Sequence, residues 1–480
     1  MDDRGFLGEK GWGVPVKESG MKSGKLSLFS LTWPLFIETL FGMLIGSTDT
    51  FMLSSLSDEA VAAVGVANQL INFTLLLFSV IATGTSVVIA QYLGAGKPGE
   101  AGRVAAISIT LNFFIGLLVS GSVVLGRGGF LGLFQLSETV HAYGDVYLLW
   151  VGATLFTQSL LVTASSILRA HGFTRDAMLV SLFMNLVHIF GNSTVIYGLF
   201  GMPKLGVFGV ALSTGMSRTL AMLLIFYLMF RRLPYSFTIK DLLSIDGRLL
   251  KQILHVGLPS AGEQISYNTS QMVITGMIAL LGTAALSTRI YAWTIMSFIF
   301  LVGISIGQGT QILIGHLVGA GEFNRAYKQL LRSLRISFFV TLAVAGLVAY
   351  FRLPLLDLFT DDPVILGMGG VLLLLTLILE PGRTFNLVVI SSLRAAGDAQ
   401  FPVMMGILSM WGVSVTLSYL LGIYFGLGLV GFWIAFMADE WLRGIIMYFR
   451  WRSRIWERKS LIAKMEPEYG SSSVPLEKPQ

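Results

Sequence analysis

Glu38, Asp49, Glu263 and Glu380 are acidic residues that stand inside long apolar stretches of the chain. A charge at the centre of a bilayer costs about 2.5–3.5 kcal/mol on insertion scales, so an acid kept there needs a task or a partner. Glu38 and Asp49 lie on one apolar stretch. At about 100° per residue their spacing brings them within about 20° of each other on one helix face, roughly three turns apart. Asn185, His188 and Asn192 follow i, i+3 and i+7 and form one polar stripe. Gln264, Asn268 and Gln271 form a second stripe beside Glu263, at i, i+4 and i+7. Glu380 is followed by Pro381, Arg383 and Asn386. A proline there frees a carbonyl, and interrupted helices of this kind border ion or substrate sites.

Carboxylates and an imidazole are groups that take up and release a small cation, and the amides around them can hold a substrate. Asp49, Glu38, Glu263 and Glu380 are therefore the candidate cation-coupling residues. Asn185, His188, Asn192, Asn268, Gln271, Arg383 and Asn386 are the candidate polar lining of a cleft. His188 titrates near neutrality as a free side chain. A structural reading stands beside each of these: a hydrogen-bonded Asp49, a satisfied interhelical His188, or a Glu380–Arg383 or Glu263–Arg383 ion pair. Asp439, Glu440 and Arg443 are spaced for i+4 and i+3 pairing. They read as structural, with Arg218 as a further partner.

The elements that must position these groups are set by composition. Of 480 residues 54% are apolar and only 12% charged, with a mean hydropathy of +0.74, too few polar residues to cover a water-facing surface. A soluble enzyme is excluded. The absence of cysteine removes disulfides, Cys-ligated metals and thiol nucleophiles. Twelve apolar stretches occur near 28–54, 60–90, 104–126, 142–168, 177–200, 206–230, 254–281, 285–315, 334–351, 365–392, 402–424 and 427–449. They are long and continuous rather than alternating, which predicts helices and not barrel strands. With the N-terminus inside, 26 of the 33 Lys and Arg residues fall on the cytoplasmic side, against three in outer loops (Arg127, Lys204, Arg352) and four within spans. That places both termini in the cytoplasm. The net charge of +6 then reads as membrane anchoring, not nucleic-acid binding. Residues 1–27 carry no secretory signal pattern and read as a cytoplasmic tail.

The chain also repeats itself at an offset of 225 residues. Pro34 and Glu38 return as Pro259 and Glu263, and Gly94-Ala95-Gly96 as Gly319-Ala320-Gly321. Leu168-Arg169-Ala170 with Gly172 returns as Leu393-Arg394-Ala395 with Gly397. Six spans per copy make two parallel lobes related by an axis along the membrane normal, a geometry suited to alternating access. The expected division is an N-lobe over 28–230, a cytoplasmic connector over 231–252, a C-lobe over 253–450 and a cytoplasmic tail over 451–480. Gly94 to Gly99 matches G-x-G-x-x-G only formally, because it follows a helix, and no Walker A motif occurs, so neither nucleotide nor ATP is expected. Gly42/Gly46 and Gly303/Gly307 have small-xxx-small spacing and are expected to pack helices closely.

Several motifs together resemble the multidrug and toxic compound extrusion (MATE) family over about residues 28–450. They are Pro34 with Asp49-Thr50, Ala62-Ala63-Val64-Gly65, Ala90-Gln91-Tyr92-Leu93-Gly94-Ala95-Gly96, Leu168-Arg169-Ala170-His171-Gly172, Gly257-Leu258-Pro259, Leu393-Arg394-Ala395-Ala396-Gly397-Asp398, and Gly428 with Gly431-Phe432-Trp433. The resemblance implies an all-α polytopic membrane protein: twelve helices in two pseudo-symmetric six-helix lobes around a V-shaped central cleft. It also implies drug efflux driven by inward H+ or Na+, with Na+ a candidate at Asp49 or at Glu263 and Glu380. Asp49 sits where the family has a first-helix aspartate implicated in coupling. The proton-coupled branch tends to have Asn and Asp where this chain has His188 and Asn192. The expected function is therefore a non-enzymatic secondary antiporter of the plasma (inner) membrane that exports amphipathic or cationic organic compounds. Its expected partners are small-molecule substrates and the lipid bilayer, it acts as a monomer, and it uses no cofactor beyond the coupling ion. The alternative on the same architecture is a flippase or exporter of a lipid-linked saccharide or metabolite.

Overall fold

The computed structural model describes residues 26–235, 241–242, 244 and 246–462. Most of the expected N-terminal tail, the C-terminal residues from 463 and positions 236–240, 243 and 245 of the connector lie outside the described residues. The regular elements are helices: α1 (Leu28–Ser54), α2 (Asp58–Gly94), α3 (Pro98–Leu131), α4 (Glu138–Ala153), α5 (Leu155–Ala170), α6 (Thr174–Tyr197) and α7 (Gly206–Arg232) in the first lobe. The second lobe holds α8 (Gly247–Ala279), α9 (Thr283–Gly319), α10 (Phe323–Tyr350), the short α11 (Arg352–Asp357), α12 (Pro363–Ala395), α13 (Gln400–Tyr424) and α14 (Gly428–Arg452). The helices α4 and α5 form one span bent by 47°. Over the described residues the molecule is thus an all-α membrane protein with twelve spanning helices in two six-helix lobes.

Two of the twelve spans are less apolar than the rest, for a reason that bears on function. α8 carries Glu263, Gln264, Asn268 and Gln271 through its middle, and α14 carries Asp439, Glu440 and Arg443. Such spans are held by protein contacts on their polar face rather than by lipid.

The internal repeat reappears in the helix boundaries. α2 and α9 are each 37 residues long, at 58–94 and 283–319. The bent α4–α5 pair covers 138–170 where α12 covers 363–395. Helix ends match as well. Gly96 (φ +67°) and Gly321 (φ +71°) take the left-handed conformation after α2 and α9, as Gly172 (φ +86°) and Gly397 (φ +90°) do after α5 and α12. Each lets the next amide reach back to a carbonyl of the last turn: Lys97 N–H to Tyr92, Glu322 N–H to Leu317, Phe173 N–H to Leu168 and Asp398 N–H to Leu393. A left-handed residue closing a helix this way strongly favours glycine. The Gly94–Gly99 pattern is therefore a helix end.

The lobes meet at the end of the bundle that carries the basic loops. Gln91 and His316, 225 residues apart, face each other's lobe there. The Gln91 side-chain N–H donates to the Ala395 carbonyl at 2.7 Å, and His316 Nε2 lies 2.8 Å from the Ala170 carbonyl. Backbones touch where the repeat has glycine: a Cβ on Gly94 would sit 2.0 Å from the His316 carbonyl, and one on Gly319 would sit 1.9 Å from that of Gln91. The chain after α14 then crosses beneath both lobes. Trp456 stacks on Trp451 at 4.0 Å, and Leu461 gives its N–H to Gln91 and its carbonyl to Gln252. Toward the opposite end the lobes diverge. No inter-lobe hydrogen bond among the described residues lies nearer that end than the one from Ser297 to Met43. Gly303 and Gly307 pack against Thr384 and Ser391 as their spacing predicts. Gly42 and Gly46 do not: nothing lies within 4 Å of a Cβ built on either, because this part of α1 has no helix packed on its glycine face.

Candidate functional site

Polar residues on the spans gather into one cluster inside each lobe. In the first lobe α1 supplies Asp49, α6 supplies His188 and Asn192, and α7 supplies Thr214 and Arg218. The i, i+4 spacing of His188 and Asn192 stacks them on one face, 3.2 Å apart between Nε2 and Nδ2. Asn192 Nδ2 donates to Asp49 Oδ1 at 3.3 Å, and His188 Nδ1 lies 3.6 Å from the same oxygen. His188 Nε2 is 3.1 Å from Thr214 Oγ1. The sequence stripe therefore faces Asp49, as its geometry requires. Asn185, one turn earlier, is buried with its Nδ2 unpartnered.

The other three candidate acids have a different environment. Glu38 accepts from Arg169 at 3.0 Å, and Glu263 accepts from Arg394. The partners keep the offset of 225 residues, so these are one ion pair made twice. It ties the first helix of each lobe to the end of the helix that carries the Leu-Arg-Ala motif. Glu380 is fully buried and accepts from Arg383 at 2.6 Å. Arg383 also donates to Glu440 at 3.3 Å, and Glu440 receives Asn386 at 2.8 Å and Arg443 at 3.1 Å. Asp439 pairs with Arg443 at 2.9 Å and accepts from Ser409 at 2.5 Å. The predicted i+3 and i+4 pairs thus form, but the partner is Arg383 and not Arg218. Arg218 sits in the other lobe, within Coulombic reach of Asp49.

A recess of about 160 Å³ opens beside the second cluster, bordered by Glu263, Tyr267, Phe300, Arg383, Arg394 and Arg443. Arg383 also lies over the rings of Trp293 and Phe300, at 5.4 and 5.6 Å. Asn268 and Gln271 do not join this network: Asn268 accepts from Gln264 at 3.1 Å and Gln271 accepts from Arg289 at 3.1 Å. Sequence reasoning passed over Arg169 and Arg394, which look like loop residues in a motif, and Thr214. The one signal for the first two was the shared offset of Glu38 with Glu263 and of Arg169 with Arg394.

Asp49 is therefore the single candidate acid without a guanidinium bonded to it among the described residues. An unpaired carboxylate beside amide and imidazole groups can exchange a cation without breaking a salt bridge. Two parallel six-helix lobes, joined at one end and holding ionisable groups inside, are the architecture of a membrane transporter.

The family model of MatE matches residues 34–194 and 259–420, one stretch in each lobe, and the chain belongs to that family. It is 47% identical over 435 residues to the uncharacterized transporter YisQ of Bacillus subtilis, covering 91% of this chain and 96% of that one. It is 26% identical over 442 residues to the probable multidrug resistance protein NorM of Thermotoga maritima, covering 91% of this chain and 94% of that protein. Among solved structures, an outward-facing multidrug resistance MATE transporter of the MOP superfamily superposes with a TM-score of 0.81 at 23% identity, covering 92% of this chain and 96% of that one.

Proposed function

We propose that this transporter is a secondary antiporter of the plasma membrane that exports amphipathic organic compounds bearing a cationic group, in exchange for H+ or Na+ moving inward. The unpaired Asp49 carboxylate carries the reading. A cation on Asp49 and a substrate amine compete for the same charge, so binding one releases the other. Asn192 Oδ1 is a second oxygen beside it, buried without a partner, and oxygen donors suit a hard cation. One charge moved through about 100 mV supplies about 2.3 kcal/mol, enough for roughly a fifty-fold gradient of a neutral substrate.

The excess of Lys and Arg at the end where the lobes meet supports a cytoplasmic location for both termini. On that orientation the described conformation is closed toward the cytoplasm and open outward. The glycine contacts, the Gln91 and His316 bonds and the Leu461 crossing must all separate in the inward-open state. Export of a lipid-linked saccharide fits less well. The second-lobe recess offers three guanidiniums, but Glu263, Glu380, Glu440 and Asp439 already oppose them.

The test is dye efflux from vesicles holding the purified protein, energised separately by a pH step and by a sodium step. Wild type is expected to respond to one of the two steps, and Asp49→Asn to neither. Equal gradient-driven export by wild type and Asp49→Asn removes Asp49 from the mechanism.

A further inference from the structure

The first-lobe interior holds one charge that cation exchange at Asp49 does not use. Arg218 comes from α7 and lies within Coulombic reach of Asp49, His188 and Tyr147. It makes no ion pair or hydrogen bond with any described residue, and its Nη1 is shut away from solvent without a partner. The other arginines of the inner clusters each have bonded partners. Arg383 has Glu380 and Glu440, Arg443 has Asp439 and Glu440, and Arg289 has Gln271 and Thr275. A guanidinium held at membrane depth with no group bonded to it is a site by default, because its five donors suit one planar anion above all.

The second lobe shows what such a position can hold. α7 and α14 start on matching sequence, Gly206-Val-Phe-Gly209 and Gly428-Leu-Val-Gly431, with φ of +57° and +56° at the first glycine. In that register, an offset of 222 where the rest of the repeat keeps 225, Arg218 stands where α14 has Glu440. Glu440 is a carboxylate held by two guanidiniums and the Asn386 amide. The first lobe presents the reverse, a guanidinium with no carboxylate bonded to it.

We infer that Arg218 anchors a carboxylate of the transported molecule, so that the substrate class is zwitterionic: an amine for Asp49 and a carboxylate for Arg218 on one amphipathic skeleton. This rests on the export reading above and narrows it. The sign of the linkage selects the zwitterion. With Asp49 ionised the pair sums to zero, which gives a plain organic cation no net attraction. With Asp49 neutralised by a cation the site is +1, which would hold a plain anion more tightly, so cation uptake and substrate release would oppose each other. A zwitterion avoids both problems, because its amine is displaced from Asp49 while its carboxylate sets orientation and selectivity. Asn192 Oδ1, 1% exposed as a residue and unpartnered, is a second acceptor for the amine.

The experiment compares two dyes that differ by one ester, rhodamine 110 with its free carboxylate and its methyl ester rhodamine 123, in vesicles containing the full chain. Wild type is expected to move the acid with a KM about tenfold or more below that of the ester, the worth of one charge-assisted bidentate contact. Arg218→Gln is expected to raise the KM of the acid about tenfold and remove the preference, and Arg218→Lys to keep part of it. Equal KM values in wild type, or an Arg218→Gln change that shifts both dyes alike, overturns the inference. If the variants fail to reconstitute, the wild-type comparison decides by itself. Vesicles that export the ester but not the acid overturn this inference and leave the export reading standing. Vesicles that export neither overturn both.

Discussion

Gly319→Ala should open the closed end of the molecule. A Cβ at this position would lie 1.9 Å from the Gln91 carbonyl oxygen, whereas real Cβ contacts stay beyond 3.0 Å, so the two backbones must part by about 1.1 Å. Both atoms belong to helix backbone, and no rotamer change relieves the clash. A shift of that size lengthens the Gln91–Ala395 bond from 2.7 Å to about 3.8 Å and the His316–Ala170 contact from 2.8 Å to about 3.9 Å, outside hydrogen-bond range. The 3.0 Å bond from Leu461 to Gln91 goes with them. At about 0.5–1.5 kcal/mol for each bond, the closed state loses about 1.5–4.5 kcal/mol, a tenfold or larger change in its population. Because the chain has no cysteine, spin labels can be placed without background at Lys97→Cys and Arg325→Cys, one beside each crossing glycine. Electron–electron distance measurements should show the wild-type distribution move to longer distances in Gly319→Ala. Gly346→Ala, where a Cβ meets nothing within 4 Å, should leave the distribution unchanged. Identical distributions for wild type and Gly319→Ala would show that this contact does not hold the lobes together.

Two further outcomes follow from the buried pairs. Glu440→Gln leaves Arg383 and Arg443 without the carboxylate they share, and breaking a buried pair from one side costs about 3–5 kcal/mol, so thermal unfolding in detergent should begin several degrees lower. An unchanged Tm would mean that the guanidiniums are already neutralised by Glu380 and Asp439. Glu38→Gln and Glu263→Gln remove the same ion pair from the two lobes and should lower Tm by similar amounts, while export keeps its wild-type ranking of the pH step against the sodium step. A reversed ranking in either variant would make that acid part of the coupling.

Much of the architecture was legible in the chain because membrane physics leaves few choices. Runs such as 206–230 and 402–424 appear as α7 (Gly206–Arg232) and α13 (Gln400–Tyr424), since a lipid-facing backbone must bond to itself. The boundaries erred mostly by being short. α10 starts at Phe323 rather than near 334, because its first turns carry Arg325, Lys328 and Arg332, which hydropathy reads as loop although they continue the helix. Side-chain partners were less legible. Spacing along one helix correctly paired Glu380 with Arg383 and Arg443 with its neighbours on α14. It could not show that Arg394 reaches Glu263 or that Arg218 approaches Asp49, because those meetings depend on how separate helices cross.

The repeat supplies what single-helix periodicity lacks, through its agreements and also through its departures. Residues that match across the offset build the frame: Glu38 and Glu263, Arg169 and Arg394, Gly94 and Gly319. Each matched pair makes the same kind of contact in both lobes, as a structural role predicts. Most interior charges break the match, although Arg218 falls on Arg443. At the same offset Asp49 faces Ile274, Asn192 faces Leu417, Glu380 faces Leu155 and Asn386 faces Leu161. Two copies of one scaffold have therefore placed their costly polar groups at different positions. The second lobe gave each of its own a bonded partner, and the first left one carboxylate and one guanidinium unbonded to each other. Stability alone favours pairing or removing both. Their persistence inside a lobe that could have been apolar at these positions, as the second lobe is opposite Asp49, is the physical reason to look for transport chemistry at Asp49 and Arg218 and for structural support in the Glu380–Arg383–Glu440 network.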